Sequence, residues 1–208
     1  PDIYSENGGG FGFLNIDNTD GTILVPKSSH LELLAGGSLA LKATNVEILS
    51  PITIPGGSLS VLAYNYSPFT YAENSLDPIF STQPAPAVIE GYGTISIGPS
   101  MLLNTVGTGH DERSISELVS NTRRALDGGA VTLEGFSILM DATSGIDASG
   151  GIGFSGRGKI SKGNGGSISI LAGKDPILST SAGGILQLPR TLQAFSAVKG
   201  GSLRIQAP

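Results

Sequence analysis

The sequence predicts an all-β fold, a triangular parallel β-helix in which one turn of the solenoid takes about 20 residues. Three observations lead to this prediction. A Gly-Gly pair followed by a small residue and an alternating apolar run recurs. The copies at Gly36 and Gly56 start 20 residues apart, and those at Gly165, Gly183 and Gly200 start 18 and 17 residues apart. Apolar and polar residues alternate over short stretches, and stretches with helical periodicity are almost absent. The pairs start at Gly36, Gly56, Gly128, Gly165 and Gly200, with a looser copy at Gly183.

Residues 36–55 show what one repeat builds. The glycines permit a sharp corner with positive φ, and the following run places Leu39 and Leu41 on one face of a strand. Two further short apolar strands follow, over 46–48 and 52–54. Three strands separated by corners complete one turn, and each is expected to pair with its equivalent about 4.8 Å along the axis. Roughly eight turns would give a shaft of about 40 Å.

Other fold classes account for fewer of these observations. A β-sandwich or barrel also has short strands and frequent turns, but neither requires the same Gly-Gly phrase at the same phase. A Rossmann-type α/β fold needs helices between successive strands, and the sequence offers one candidate helix. We therefore expect residues 1–208 to form a single elongated domain. Because the chain starts and stops within the repeat pattern, we expect it to be a fragment of a longer protein.

Composition narrows the possible partners. The 31 glycines belong largely to the repeated corners, and charged residues make up only 14% of the chain, which is not the composition of a disordered tail. A net charge of −5 disfavours nucleic acid and anionic membrane surfaces as partners. The chain has no cysteine, and it has no apolar stretch of the length that a transmembrane helix requires.

The repeat is interrupted over residues 64–87. This segment holds three of the five tyrosines, two of the seven phenylalanines and four of the 12 prolines, so it does not suit a strand of the solenoid. It predicts a long loop that leaves one corner and folds over the side. Aromatic side chains on such a loop suit a sugar or a protein surface. The alternative is that they only cover an apolar flank. The candidate ligand-binding residues are Tyr64, Tyr66, Phe69 and Tyr71.

A second interruption, over residues 104–127, predicts a short inserted helix. Ser114 and Glu117 have the spacing of a capping box, and apolar residues follow on one helical face as far as Leu126. The next Gly-Gly pair would end the helix. We expect this helix to pack outside a sheet and to shield its apolar face.

Several motifs resemble nucleotide or catalytic sites without the surroundings that those sites need. Residues 151–156 match GxGxxG and residues 153–159 match GxxxxGK, but no helix is predicted after them to receive a phosphate, and Ile160 replaces the hydroxyl needed for magnesium. Ser196 and Lys199 have the SxxK spacing, which requires a helix and here falls between strands. We therefore predict no cofactor.

Acidic residues do not form the clusters expected of a metal or glycosidase site. Asp141 and Asp147 lie near enough in sequence to meet at a corner, which leaves a calcium site open, yet Ser155 stands where the calcium-repeat motif has its Asp. Polysaccharide lyases and hydrolases on β-helices need acids at equivalent positions of successive turns. Glu47, Glu134 and Asp147 do not repeat in that way. We therefore predict no bound metal and no enzymatic activity.

Four phrases resemble the repeats of filamentous haemagglutinin-like exoproteins, the large bacterial proteins exported by two-partner secretion. They are GGSLALKATNVEILSPITIPGGSLSVLA, FSILMDATSGIDASGG, GNGGSISILAG and KGGSLRIQA. The resemblance is strongest over residues 21–62 and 128–208, and it concerns a style of repeat, so it indicates a superfamily. It implies a right-handed parallel β-helix shaft that is secreted or exposed at the surface of a Gram-negative bacterium, associated with the outer membrane.

The resemblance implies a role in adhesion. The chain would be a non-enzymatic shaft segment that presents loops to a glycan or protein on a host cell or neighbouring cell. Its other partners would be adjoining β-helix segments of the parent chain and the outer-membrane protein that exports it. The family's shaft repeats supply no catalytic residues, and the Asn-rich motifs of its secretion domain are absent. The open alternatives are a polysaccharide-active β-helix enzyme, the stalk of a contact-dependent toxin-delivery protein and a unit that assembles end to end.

Overall fold

The computed structural model describes residues 11–66, 88–109, 127–155, 157–173, 175–176 and 183–207. Within these ranges the chain is all β, with 16 strands and no helix, and hence without a helix long and apolar enough to cross a membrane. The strands are β1 (Phe13–Val25), β2 (Leu31–Glu32), β3 (Ser38–Ile48), β4 (Ile52–Thr53), β5 (Ser58–Ala63), β6 (Thr94–Ile97), β7 (Leu102–Asn104), β8 (Ala130–Gly135), β9 (Ser137–Met140), β10 (Gly145–Asp147), β11 (Ile152–Phe154), β12 (Ile160–Lys162), β13 (Ser167–Ala172), β14 (Leu186–Gln187), β15 (Thr191–Gln193) and β16 (Ser202–Gln206).

Parallel pairing arranges all of these strands except β11 and β12 in three ladders. The first ladder joins the first halves of β1 and β3 to β5, β8, β13 and β16. The second joins the second halves of β1 and β3 to β6, β9 and β14. The third joins β2, β4, β7, β10 and β15. Each full pass of the chain around the three sides therefore adds one strand to each of the three ladders, and we call such a pass a rung.

The repeat at residues 38–53 is built as its sequence predicts. Strand β3 pairs with β5 as far as Ala43 and with β6 from Asn45 onwards, so the sheet bends at Thr44. The short strand β4 then begins the third side of the rung. In this repeat the chain therefore forms three strands, each paired in parallel with its equivalent in the next rung, which is consistent with the predicted β-helix.

The core consists of aliphatic columns that run along the ladders. Because side chains alternate along a strand and equivalent strands pair in register, each inward residue lies against the inward residue of the next rung. Leu39 pairs with Leu59 and Leu59 with Val131, and all three are buried. Burying one such side chain contributes roughly 1.5–3 kcal/mol. The two columns of the first ladder are Leu14, Leu39, Leu59, Val131, Ile168, Leu203 and Ile16, Leu41, Val61, Leu133, Ile170, Ile205.

The Gly-Gly pairs stack at the corner between the third and first ladders. From the pair at Gly56 onwards, the amide that follows each of the five close copies donates to the second glycine of the pair in the rung below, as Ser58 N does to Gly37 O at 2.9 Å. Gly36 and Gly56 have φ values of 76° and 61°, as predicted. The three later pairs have no positive φ, so the predicted reason for glycine is wrong there. In those pairs the close approach of a neighbouring rung excludes a side chain at every glycine except Gly200.

Six strands form the first ladder within the described ranges, against the roughly eight rungs that the sequence predicted. Two of the three long connections were predicted as interruptions of the repeat, and the third, between β10 and β13, was not. These connections join β5 to β6, β7 to β8 and β10 to β13.

The connection between β10 and β13 contains an element that the sequence did not predict. Strands β11 and β12 form an antiparallel hairpin, with Ile152 opposite Lys162 and Phe154 opposite Ile160. The hairpin lies against the connection that follows β7. Gly109 belongs to this connection, and a Cβ atom on it would stand 1.8 Å from the carbonyl oxygen of Ile152. The helix predicted from Ser114 onwards lies outside the described residues.

Candidate functional site

The aromatic segment leaves the shaft at the corner between the first and second ladders. We call the described residues at this corner the insertion corner, which comprises 64–66, 88–93, 135–137, 173, 175–176 and 183–185. Of the four predicted ligand-binding residues, Tyr64 and Tyr66 belong to it, whereas Phe69 and Tyr71 lie outside the described residues. The structure therefore shows how the segment is anchored at its two ends.

Tyr64 is the first residue after β5, and it is buried, with 1% of its surface exposed. Its amide donates to Ala43 O at 3.1 Å, which continues the backbone ladder by one residue. A side chain with so little exposed surface is not available to a ligand. The structure thus places the first of the predicted binding residues among the residues that support the loop.

The hydroxyl of Tyr64 is buried without a hydrogen-bond partner among the described residues. Burial raises the pKa of this hydroxyl to about 12, and the negative charges of Asp17 and Asp20 on β1 add to the effect. The Thr19 hydroxyl is near enough to oppose this pKa shift slightly, but it makes no bond of acceptable geometry with Tyr64 Oη. The neutral phenol is therefore strongly favoured in the folded protein.

Asn65 ties the two ends of the aromatic connection together. Its side-chain nitrogen donates to Ile89 O at 2.7 Å and to Tyr92 O at 2.9 Å. Its side-chain oxygen accepts from Ile89 N at 2.7 Å. The chain then returns to the shaft at Gly93, whose amide donates to Thr44 O at 2.8 Å. One buried amide side chain thus fixes where the segment leaves the shaft and where it returns.

Asp175 connects this segment to a second inserted segment, which lies between β13 and β14 two rungs away. Its carboxylate is buried, with 2% of the residue exposed. One oxygen accepts hydrogen bonds from the backbone amides of Asn65 and Tyr66, the latter at 3.0 Å. Hydrogen bonds to a charged acceptor are about twice as strong as those between neutral groups. The two segments are therefore held as one unit at their bases.

Sequence reasoning missed Asp175, although a signal was present. It is the only acidic residue after Asp147 in the chain, and it falls where the alternation of β13 has ended. A single acid in a long stretch without other acids is a candidate for a specific structural bond. What the sequence did not reveal is its partner, because Asn65 lies 110 residues earlier.

Phe136 lies in the rung between the two rungs that carry the inserted segments. Its carbonyl oxygen accepts from Gly173 N at 3.1 Å, and its ring lies against Gly183. Gly93 approaches the same side chain from the other side, since a Cβ atom there would stand 2.7 Å from that of Phe136. Large apolar residues are exposed around this point of the insertion corner. They are Val88, Ile89, Tyr92 and Ile185.

The motifs that resemble nucleotide sites form parts of the β11–β12 hairpin. The GxGxxG stretch begins with β11, and an antiparallel partner strand follows it where a dinucleotide site needs a helix. Lys159 of the GxxxxGK match lies in the turn that leads into β12, where its amide donates to Ser155 Oγ at 3.0 Å. The structure therefore gives neither motif the surroundings of a phosphate site.

The two aspartates of the possible calcium site each stabilise a local turn. Asp141 accepts from the amide and the hydroxyl of Thr143, and these bonds hold the pKa of its carboxyl below the usual value. Asp147 accepts from Ser149 N at 2.9 Å. Across the described ranges, no group of three or more His, Cys, Asp and Glu side chains is placed to hold a metal ion.

An open trough of about 730 Å³ runs along the Gly-Gly corner. Its floor is the backbone of the stacked glycine pairs, and serine hydroxyls, Asn164 and Lys199 line its sides. No carboxylate is among the described residues that line it.

The ends of the second predicted interruption are also tied to the shaft. Asp127 accepts hydrogen bonds from Asn164 N at 2.7 Å and from Asn164 Nδ2, which lower the pKa of its carboxyl. Gly129 N then donates to Thr105 O at 2.7 Å, so the connection closes where it opened.

Comparison of the chain with protein-family models, with curated proteins and with solved structures gives no significant match. The geometry of the ladders and of the insertion corner therefore carries the functional argument.

Proposed function

We propose that this chain is a right-handed β-helical shaft segment of a filamentous haemagglutinin-like exoprotein, secreted or displayed on a bacterial surface. In this proposal the chain has no enzymatic activity. It acts as a stiff spacer that presents inserted segments to a glycan or protein on another cell. Adjoining shaft segments of the parent protein and its outer-membrane export partner would be the remaining partners.

The observation that carries the proposal is the in-register stacking of equivalent strands in three ladders. A stack of this kind gives a rod whose length grows by about 4.8 Å for each rung. Six described rungs span five such spacings, or about 24 Å. Right-handedness is supported by the strong preference of parallel crossover connections for that hand.

The insertion corner supports the presentation of loops. Recognition residues are commonly found on loops held by a rigid scaffold. Here Asn65 and Asp175 fix the bases of two inserted segments at one corner, with exposed apolar residues around them. Contiguous exposed apolar surface is typical of a site that meets another molecule. We therefore assign recognition to this corner, with Tyr66, Phe69 and Tyr71 as the contact residues and Tyr64 as their support.

A glycan-array screen tests this assignment. The wild-type chain is compared with a variant in which Tyr66, Phe69 and Tyr71 are changed to Ala, with Tyr64 retained because its loss would disturb the corner. Phe195→Ala, an exposed aromatic residue on another corner, is the matched control. We expect binding that the triple variant loses and the control keeps. Equal binding by all three proteins would contradict the assignment to this corner.

The same screen separates adhesion from polysaccharide cleavage. Every glycan that binds is incubated with the protein, and the release of reducing ends is measured. Saturable binding without release is the result expected of an adhesive shaft. Release that increases with protein concentration would replace the proposal with a carbohydrate-active β-helix enzyme.

A further inference from the structure

The β11–β12 hairpin exposes its apolar side, whereas the rungs bury theirs. Residues that are opposite in an antiparallel pair lie on the same side of the hairpin. The four residues that share one side are Ile152, Phe154, Ile160 and Lys162, and we call them the hairpin face. Ile152 is 47% exposed and Ile160 is 51% exposed, and Phe154 is half-buried. Gly153, on the opposite side, is buried. The buried side of the hairpin is thus its glycine side.

The exposure of the hairpin face does not come from an uncovered end of the shaft. The hairpin belongs to the connection between β10 and β13, and β10 pairs with β7 on one side and with β15 on the other. Described rungs therefore lie on both sides of it. Strands β11 and β12 pair only with each other, so the shaft gains no ladder hydrogen bonds from them. Apolar side chains held outside the core in this way are typical of a surface that meets another molecule.

Three basic residues accompany the apolar ones. Arg157 and Lys159 lie in the turn between the two strands, and Lys162 belongs to the hairpin face. All three are exposed, and none forms an ion pair with another described residue. The sequence has no acidic residue between Asp147 and Asp175. The hairpin therefore combines exposed apolar side chains with three positive charges.

The net charge of −5 conceals this local positive charge. Residues 1–149 contain 16 acidic and 5 basic residues, whereas residues 150–208 contain 1 acidic and 7 basic residues. Asp127 and Asp147 lie near the base of the hairpin. The turn is about 10 Å from the base, the length of three strand residues. This distance is about one Debye length at about 0.1 M salt, so the two acids only weakly offset the charge of the turn. Net charge therefore does not exclude an anionic partner for the hairpin.

The turn that carries two of the basic residues is closed by three hydrogen bonds. Ser155 N donates to Lys159 O at 2.9 Å, and Gly158 N donates to Ser155 O at 2.8 Å. The Ser155 hydroxyl accepts from Lys159 N at 3.0 Å. A turn that is already formed loses little conformational freedom when it binds. The positive charges are thus presented in a defined place beside the hairpin face.

The size and chemistry of this surface favour a lipid bilayer over a protein as the partner. The hairpin face offers on the order of 300 Å², well below the roughly 800 Å² that each partner contributes to a stable protein interface. A bilayer needs neither that area nor a matching shape, because apolar side chains enter the boundary of the acyl chains one by one. Anionic headgroups at the same boundary attract nearby Lys and Arg side chains.

From these observations we infer that the β11–β12 hairpin docks on a lipid bilayer that carries anionic headgroups. The apolar side chains of the hairpin face enter the boundary between headgroups and acyl chains, and Arg157 and Lys159 contact the headgroups. Lys162 extends its ammonium group to the headgroups while its methylene groups stay beside the apolar side chains. The inference is independent of any binding at the insertion corner, and it would attach the side of the shaft to a membrane.

Co-sedimentation of the full chain with lipid vesicles tests the inference. Vesicles of phosphatidylcholine are compared with vesicles in which about 30% of the lipid is phosphatidylserine. We expect binding to the anionic vesicles alone, and we expect added salt to weaken it. Absence of binding to the anionic vesicles, or equal binding to both kinds, would overturn the inference.

Two variants of equal net charge locate the contact. The hairpin variant is Arg157→Gln, Lys159→Gln, Lys162→Gln. The control variant is Lys27→Gln, Arg190→Gln, Arg204→Gln. Because all six positions are exposed, both variants should keep the circular dichroism spectrum of the wild type. Each basic residue near an anionic surface strengthens binding about fivefold, so the hairpin variant should bind on the order of 100-fold more weakly. The control should bind nearly as the wild type does, and an equal loss in both variants would refute docking by the hairpin.

A tryptophan reporter separates a bilayer from a soluble polyanion or an acidic protein. The chain has no tryptophan of its own. Phe154→Trp places one reporter on the hairpin face, and Tyr92→Trp places one at an exposed position of the insertion corner as the control. With anionic vesicles we expect the emission of the first reporter to shift to the blue and to be quenched by lipids with brominated acyl chains. The control should show neither effect. Vesicle binding without a shift or quenching at position 154 would mean that the hairpin meets only charge, and it would overturn the bilayer as the partner.

Discussion

The carbonyl oxygen of Gly129 lies 1.8 Å from the point where a Cβ atom on Gly166 would stand. The same relationship joins the second glycines of the other pairs, with Gly57 O at 1.9 Å from a Cβ on Gly129 and Gly166 O at 2.1 Å from one on Gly201. Real Cβ atoms are essentially never found so close to another atom. The short distance between rungs thus requires glycine at the second position of the pair, because any side chain there would push two rungs apart.

We expect Gly166→Ala to destabilise the protein by about 3 kcal/mol or more, since the added methyl group meets fixed backbone and not a movable side chain. Gly200→Ala is the matched control. It also lies in a Gly-Gly pair, has no positive φ and has open space where its Cβ would stand. Urea unfolding followed by circular dichroism measures both. Equal stability of the two variants would show that the rungs are not packed as closely as described.

Comparing the sequence patterns with the observed strands shows how far the sequence predicts the fold. Alternation around Leu39 and Leu41 predicts their burial, because one strand is enough to define two faces. The repeat phrase also predicts that β3 and β5 pair in register. The β11–β12 hairpin escaped prediction because Ile152-Gly153-Phe154 is too short and too rich in glycine to show a clear period. Long connections likewise hide which strand continues a ladder, as between Ala63 and Thr94.

Tyr64→Phe should leave the protein as stable as the wild type at neutral pH or slightly more stable, because it removes a buried hydroxyl that has no partner among the described residues. Above pH 10 the two proteins should diverge. An unfolded tyrosine ionises near pH 10, whereas the folded Tyr64 stays neutral until about pH 12. Ionisation therefore favours the unfolded wild type, which should lose up to about 3 kcal/mol relative to Tyr64→Phe.

Urea unfolding of both proteins at pH 7, 9 and 11.5 measures this difference. Tyr92→Phe, at an exposed tyrosine of the same corner, is the control for alkaline effects elsewhere in the protein. Parallel loss of stability in wild type and Tyr64→Phe would mean that the phenol is not buried as described.

The insertion corner was only partly predictable for a physical reason. The segment after β5 is rich in aromatic residues, and that composition marks an interruption of the repeat. Composition does not show which ring is buried, and the raised pKa of Tyr64 depends in part on Asp17 and Asp20 of β1, a strand two rungs away. The role of Asp175 likewise depends on two backbone amides, which have no sequence signature.

Asp175→Ala should release the base of the aromatic segment. The backbone amides of Asn65 and Tyr66 lose their carboxylate acceptor, which should cost about 3 kcal/mol. Hydrogen exchange of these two amides and of residues 88–93 should accelerate, while exchange in β8 stays slow. Asp141→Ala, which removes an exposed carboxylate with two local hydrogen bonds, is the control and should not change exchange at the insertion corner. Unchanged exchange in Asp175→Ala would contradict the clamp.

The β11–β12 hairpin should be removable without loss of the shaft. Gly163 N donates to Gly151 O at 2.8 Å, so the hairpin begins and ends at one point, and Asn-Gly in place of residues 152–162 would join these ends in a two-residue turn. The bond from Gly166 N to Ala148 O and the pairing of β8 with β13 remain in the shortened chain. We therefore expect the free energy of unfolding to change by less than about 1 kcal/mol, with the loss confined to the contact with Gly109. Ile138→Ala provides the comparison within a rung, and it should cost about 2–5 kcal/mol because it opens a cavity in a buried column. If excision of the hairpin proves as costly as Ile138→Ala, the hairpin is part of the structural core, and the rungs alone do not account for the stability of the shaft.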